Sequence, residues 1–194
     1  MRSRSGVLEV ITGPIYSGKT DELIRRLRQV VYTHQGLQVF RAAVRETDME
    51  PLIHSEAGTK FPAIAVNKSV KILELVQPET QVIAIDDVHF FGGRIIPVVD
   101  QLIGRGLRVI VAGLDLDFRG EPFGSMPTLI AKADKVVKLP AICAVCGEPA
   151  SRSQRLVDGK PAHYDDPPMF VGLSEKYEPR CRQHHKVMLG SRRR

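Results

Sequence analysis

Apolar and polar positions alternate in blocks along the first two thirds of the chain. The β-branched-rich run VLEVIT (7–12) ends at Gly13-Pro14 and predicts a strand. From Thr20 onward, Leu23, Ile24, Leu27, Val30 and Val31 recur at helical spacing and predict a helix. LQVFRA (37–42) predicts a second strand, and QVIAID (81–86) and LRVIVAGL (107–114) predict two buried ones. SVKILELV (69–76) and IIPVVDQLI (95–103) predict helices, and the polar stretch 45–60 a loop. Apolar strands that alternate with helices imply an α/β fold with a mainly parallel central sheet covered on both faces.

After Leu139-Pro140 the texture changes. The segments shorten, turn formers cluster in VDGKPAHYDDPP, and all three cysteines appear. This places a boundary near 140, dividing the chain into a domain over 1–140, a smaller one over 141–190 and a basic tail over 191–194.

The strand-loop-helix at the start carries the sharpest chemistry. Gly13, four residues, then Gly18-Lys19-Thr20 is the spacing of a phosphate-binding loop. Glycines there let backbone N–H groups face phosphates, the lysine reaches the β and γ phosphates, and the threonine hydroxyl ligates Mg²⁺. Residues Gly13, Pro14, Ile15, Tyr16, Ser17, Gly18, Lys19 and Thr20 are thus the expected ATP cradle. In such proteins an apolar strand ending in Asp holds the magnesium, and Asp86 has that position. Asp87 follows at once, where a carboxylate either accepts a proton from an attacking hydroxyl or caps a turn.

Cys143-x-x-Cys146 and Cys181-x-x-His184 each offer two corners of a tetrahedron and together predict a closed Cys₃His structural zinc site, with His185 as the alternative fourth ligand. An odd cysteine count argues against a secreted disulfide framework. Two such knuckles constrain the segment 147–180, with Arg152, Arg155, Tyr164, Phe170 and Tyr177, as a lid over a phosphate site or as a plain surface hairpin.

Charge narrows the partners. The formal net charge is +6, but Arg2, Arg4, Arg192, Arg193 and Arg194 supply most of it from two short ends without interleaved aromatics, so the body is nearly neutral and nucleic acid is an unexpected partner. The longest apolar runs fall far short of the roughly 20 residues of a membrane helix, and the start has no signal-peptide core, which predicts a soluble, cytoplasmic protein without a membrane partner.

Taken together, GPIYSGKT, IAIDDVHFF, VIVAGLDLDFRGEPFG and the CAVC…CRQHH pair resemble the type II thymidine kinases, from about residue 6 to 188. The resemblance implies a RecA-like P-loop domain and a zinc-binding domain carrying a lasso loop. It implies transfer of the ATP γ-phosphate to the 5′-hydroxyl of thymidine or deoxyuridine, a homotetramer and feedback inhibition by thymidine triphosphate. By position it makes Asp86, Asp87, Val88 and His89 the second ATP segment and Asp87 the catalytic base. Leu114 and Phe118 fall where the family packs the thymine ring. Ser153, Phe170, Val171, Gly172 and Tyr177 join the substrate set, the lasso around 169–172 reading the base mostly through backbone groups.

Three positions depart from the family pattern. Asp87 stands for Glu, His89 for Gln, Arg45 for the Asp that accepts the sugar 3′-hydroxyl in the family, and Thr47 for the Arg two residues after it. The shorter carboxylate loses about 1.5 Å of reach, and a histidine introduces a group that titrates. A kinase for another nucleoside, or a P-loop binding protein or ATPase that has lost its acceptor site, are the rival readings.

Overall fold

The computed structural model describes residues 5–44, 50–167 and 175–189. Six strands form one sheet: β1 (Val7–Thr12), β2 (Leu37–Ala42), β5 (Ile64–Val66), β6 (Val82–Asp86), β7 (Arg108–Gly113) and β8 (Lys135–Lys138). Their order is β5-β2-β6-β7-β1-β8. Every pairing in it is parallel.

Alternate residues of each strand feed opposite cores. Leu8, Val10, Ile83, Ile85, Val109 and Val111 point to the face covered by α2 (Val70–Leu75), α3 (Ile95–Gly104) and α4 (Met126–Lys132). Ile11, Val82, Ala84, Ile110 and Ala112 point to the other, where α1 (Lys19–Tyr32) lays down Leu23, Ile24, Leu27 and Val30. Burial on both faces is why these strands read as near-continuous apolar runs.

The exception in β1 is Glu9, buried on the α1 face. It is held by Arg26 Nη1 at 2.6 Å and Arg108 Nε at 2.7 Å. Burial alone would raise its pKa, but the two guanidiniums outweigh it and hold the carboxyl below the usual range.

The 45–60 stretch differs from the expected loop. Leu52–His54 (β3) and Lys60–Pro62 (β4) pair as an antiparallel hairpin, with Ile53 packed in the α1-side core. Three-residue strands are too short to show a period of two, so polarity dominated their appearance in the sequence.

Beyond β8 the chain builds two small antiparallel sheets. Strand β9 (Ala141–Ile142) pairs β10 (Pro149–Ala150). Strand β11 (Arg152–Val157) lies between β12 (Lys160–Pro161) and β13 (Glu175–Arg180), with Ser153 opposite Pro179 and Arg155 opposite Tyr177. No helix among the described residues is long and apolar enough to cross a membrane.

Candidate active site and metal centre

In a parallel sheet, ligands bind beyond the carboxyl ends of the strands. Here β1, β6 and β7 deliver Thr12, Asp86 and Gly113 to one edge, and the Thr12 hydroxyl donates to the Gly113 carbonyl at 3.0 Å, fixing that edge. The chain leaves β1 through a loop whose backbone turns left-handed at Tyr16 (φ 59°) and Gly18 (φ 76°, ψ 23°) before α1 begins. A left-handed residue at the helix entry suits glycine, and it turns the first amides of α1 outward as an anion cradle.

Lys19 Nζ donates to the Pro14 carbonyl at 2.6 Å, folded over the loop it serves. Pro14 has no N–H, and that of Ile15 goes to Ser153 Oγ at 3.0 Å, so a phosphate must be met by other amides of the loop. Burial lowers the Lys19 pKa, opposed by the carboxylates of Asp87 and Asp86.

Across from Lys19, the Thr20 hydroxyl donates to Asp86 Oδ2 at 3.1 Å, and the Asp87 backbone N–H donates to Asp86 Oδ1 at 3.0 Å. Burial and the neighbouring Asp87 push the Asp86 carboxyl up to about 7. Asp87 itself sits in the left-handed region (φ 52°), a strained conformation for a non-glycine residue that aims its side chain into the cleft. Its pKa is also raised by burial, with Lys19 and Arg41 pulling the other way.

The cleft has a volume of about 560 Å³. It brings together Lys19, Thr20, Asp87, His89 and Leu114 from the expected set, with Ile15, Tyr16 and Gly18 of the loop. It also takes in His54, Glu56 and Ala57 from the β3–β4 hairpin, which the sequence reading missed. Only the polarity of the 45–60 stretch hinted at them.

His89 is 3% exposed. The Leu114 N–H donates to its Nδ1 at 3.3 Å, which leaves the proton on Nε2. Burial, reinforced by Lys19, pushes its pKa down to about 3, so the expected titration near neutrality is suppressed. A Cβ on Gly113 would come within 3.0 Å of that Nδ1 and 2.9 Å of Met126 Sδ, so glycine lets the ring close on the strand end. Val88 packs in the core rather than lining the cleft.

Of the remaining expected substrate residues, Phe118 follows β7, and Ser153 belongs to β11 of the small three-stranded sheet. Phe118 is buried, with the guanidiniums of Arg119 and Arg155 5.0 and 5.2 Å from its ring centre. Arg119 donates to the carbonyls of Tyr164 and Asp166, at 2.6 Å each, and Arg155 to that of Pro167 at 2.8 Å, so both arginines tie the chain before the expected lasso to the β7 exit. Tyr177 lies on β13. Phe170, Val171 and Gly172, and likewise Arg45 and Thr47, fall outside the described residues.

The four expected metal ligands converge. Cys143, Cys146, Cys181 and His184 place their ligand atoms within 4.8 Å of one another. Cys181 Sγ and Cys143 Sγ lie 3.2 and 3.8 Å from His184 Nδ1, and Cys146 Sγ lies 3.9 Å from Cys181 Sγ. A tetrahedral zinc with bonds of about 2.3 Å to sulfur and 2.0 Å to nitrogen has edges of roughly 3.5–3.8 Å, which these three spacings bracket. His185 is engaged elsewhere: its Nε2 donates to the Phe118 carbonyl at 2.8 Å, and His184 is the histidine that joins the three cysteines.

A phosphate loop at the carboxyl end of a parallel sheet, two adjacent carboxylates at the end of β6, one strand beyond β7, and a Cys₃His centre near the C-terminus define a P-loop α/β protein with a candidate zinc site. The family model for thymidine kinase matches residues 6–185. The chain belongs to the thymidine kinase family, and with it to the kinases, a class of transferases.

Proposed function

We propose that this chain transfers the γ-phosphate of ATP to the 5′-hydroxyl of thymidine or deoxyuridine, giving the monophosphate and ADP. The observation that carries the reading is the placement of Asp87 in one cleft with Lys19 and Thr20, because it puts a carboxylate of raised pKa beside the phosphate loop. Asp87 accepts the proton of the 5′-hydroxyl as its oxygen attacks the γ-phosphorus, and the β–γ bridging oxygen departs on ADP. Lys19 opposes the charge on the phosphates. Leu114 and the buried, neutral His89 exclude water from one wall.

Magnesium fits the residues present: a hydroxyl and a buried carboxylate 3.1 Å apart form a hard oxygen pair, and Asp86 lies under the repulsion of Asp87. When bound there by Thr20 and Asp86 it would neutralise charge on the transferring group. Zinc, in this reading, serves structure alone, since four protein ligands leave no open position.

The same reading divides the chain into a P-loop domain over 1–140, a zinc-binding lasso domain over 141–190 and a basic tail over 191–194. It brings with it a homotetramer, feedback inhibition by thymidine triphosphate and a cytoplasmic role in nucleotide salvage. The assay is a panel of common nucleosides with Mg-ATP on folded, zinc-loaded protein. Thymidine and deoxyuridine should be the substrates converted. Conversion of another nucleoside in their place would reassign the acceptor, and nucleotide binding with no acceptor at all would overturn the kinase reading.

A further inference from the structure

A single peptide group of the phosphate loop is held from both sides. The bond joining Pro14 to Ile15 presents its carbonyl to Lys19 Nζ at 2.6 Å and its N–H to Ser153 Oγ at 3.0 Å. In a trans peptide these two groups point in opposite directions, so the ammonium and the hydroxyl grip the same plane from opposite edges. Ser153 is 3% exposed, which keeps water from competing for that N–H.

We infer that Ser153 is a positioning residue for Lys19: by fixing the Pro14–Ile15 peptide it keeps the Pro14 carbonyl turned toward the ammonium. The alternative orientation of this plane is costly for Lys19. Rotated by half a turn, the peptide would turn its N–H toward the ammonium, which it repels, and its carbonyl oxygen toward Ser153. The hydroxyl at 153 is the side chain that holds the plane through its donor edge.

The restraint comes from a distant part of the chain. Ser153 lies on β11, between the two pairs of metal ligands in sequence, opposite Pro179 of β13, the strand that runs into Cys181. The small C-terminal sheet therefore holds the phosphate loop directly, in addition to any contact it makes with the acceptor.

This inference rests on residues 13–20 being the ATP phosphate site, and its two deciding measurements need no acceptor. The measurements are equilibrium binding of Mg-ATP and hydrogen exchange of the Ile15 amide, made on full-length protein with zinc content and melting temperature checked. Ser153→Ala should weaken Mg-ATP about tenfold, speed exchange at Ile15 and raise KM for ATP more than it lowers kcat, while Ser153→Thr restores all three. If the alanine variant fails to fold, Ser153→Cys keeps the volume and offers only a weak acceptor, and should show the same losses. Unchanged ATP affinity and Ile15 exchange in a folded, zinc-loaded variant would overturn the inference. So would a change confined to the KM for the nucleoside. Failure of the wild type to phosphorylate thymidine would sink the proposed activity and leave this binding result standing.

Discussion

Thr20 and Asp86 meet at 3.1 Å, hydroxyl to carboxylate, across 66 residues of chain. The contact joins the first turn of α1 to the end of β6 and sets the oxygen pair that would hold magnesium in the proposed function. Asp86 is also poorly accommodated in the apoprotein, buried beside Asp87 and pushed up to about 7. Asp86→Asn should therefore raise the melting temperature of the apoprotein, by a gain of about 1–3 kcal/mol. The same change should remove Mg-ATP turnover. Thermal unfolding with and without Mg-ATP checks both halves, and a destabilised Asn variant would contradict this view of the site.

Asp87 is expected to act on protons rather than on nucleotide affinity. Asp87→Asn should cut kcat by about 10²- to 10⁴-fold while Mg-ATP binding persists. Asp87→Glu, longer by one methylene, should keep substantial turnover. Steady-state kinetics beside direct ATP binding separate these effects, and a wild-type rate in the Asn variant would remove Asp87 from the base role.

His89 ties stability to acid. In the unfolded chain a histidine takes up its proton near pH 6.5, whereas the folded group waits until about 3. Between those values the unfolded state binds the extra proton, so the fold is lost progressively as pH falls through that window and is unaffected above it. The contribution is at most about 1.4 kcal/mol per pH unit. Denaturant unfolding at pH 7 and pH 5 should show His89→Gln losing less stability on acidification than the wild type.

Zinc removal offers a separate check. One ion per chain is expected by elemental analysis, and chelation should lower the melting temperature. His184→Ala should lose the metal. His185→Ala should retain it while loosening the Phe118 segment, because His185 Nε2 is bound to a carbonyl rather than to the cluster. Loss of zinc from the His185 variant alone would reverse the assignment.

Strands β1, β2, β6 and β7 and helices α1 and α3 were legible because each buries a long enough run for its period to show, whereas α2, six residues with Ile72 buried, showed through the apolar positions of SVKILELV around it. Strand β8 was not: KVVK is four residues long, lies at the sheet edge and is largely exposed. Helix α4 is seven residues and opens with Met126-Pro127, too short to establish a repeat. In the site, Lys19, Thr20 and Asp86 follow from spacing along adjacent elements, and the metal ligands from two short pairs. Ser153 and Ile15 meet across 138 residues, and no local pattern announces such a contact. His89 shows the same limit in another form, since its type suggested titration and its burial decided against it.

The position of β1 in the sheet has a consequence for how the protein is made. Its neighbours are β7 and β8, so Val10 finds Val111 on one side and Val136 on the other. The strand that leads into the phosphate loop is thus synthesised well before its sheet partners, which arrive about a hundred residues later. Such non-local pairing slows folding. A nascent chain that ends before β7 has no place to seat β1, so nucleotide binding should be acquired late and at once, when β7 closes the centre of the sheet.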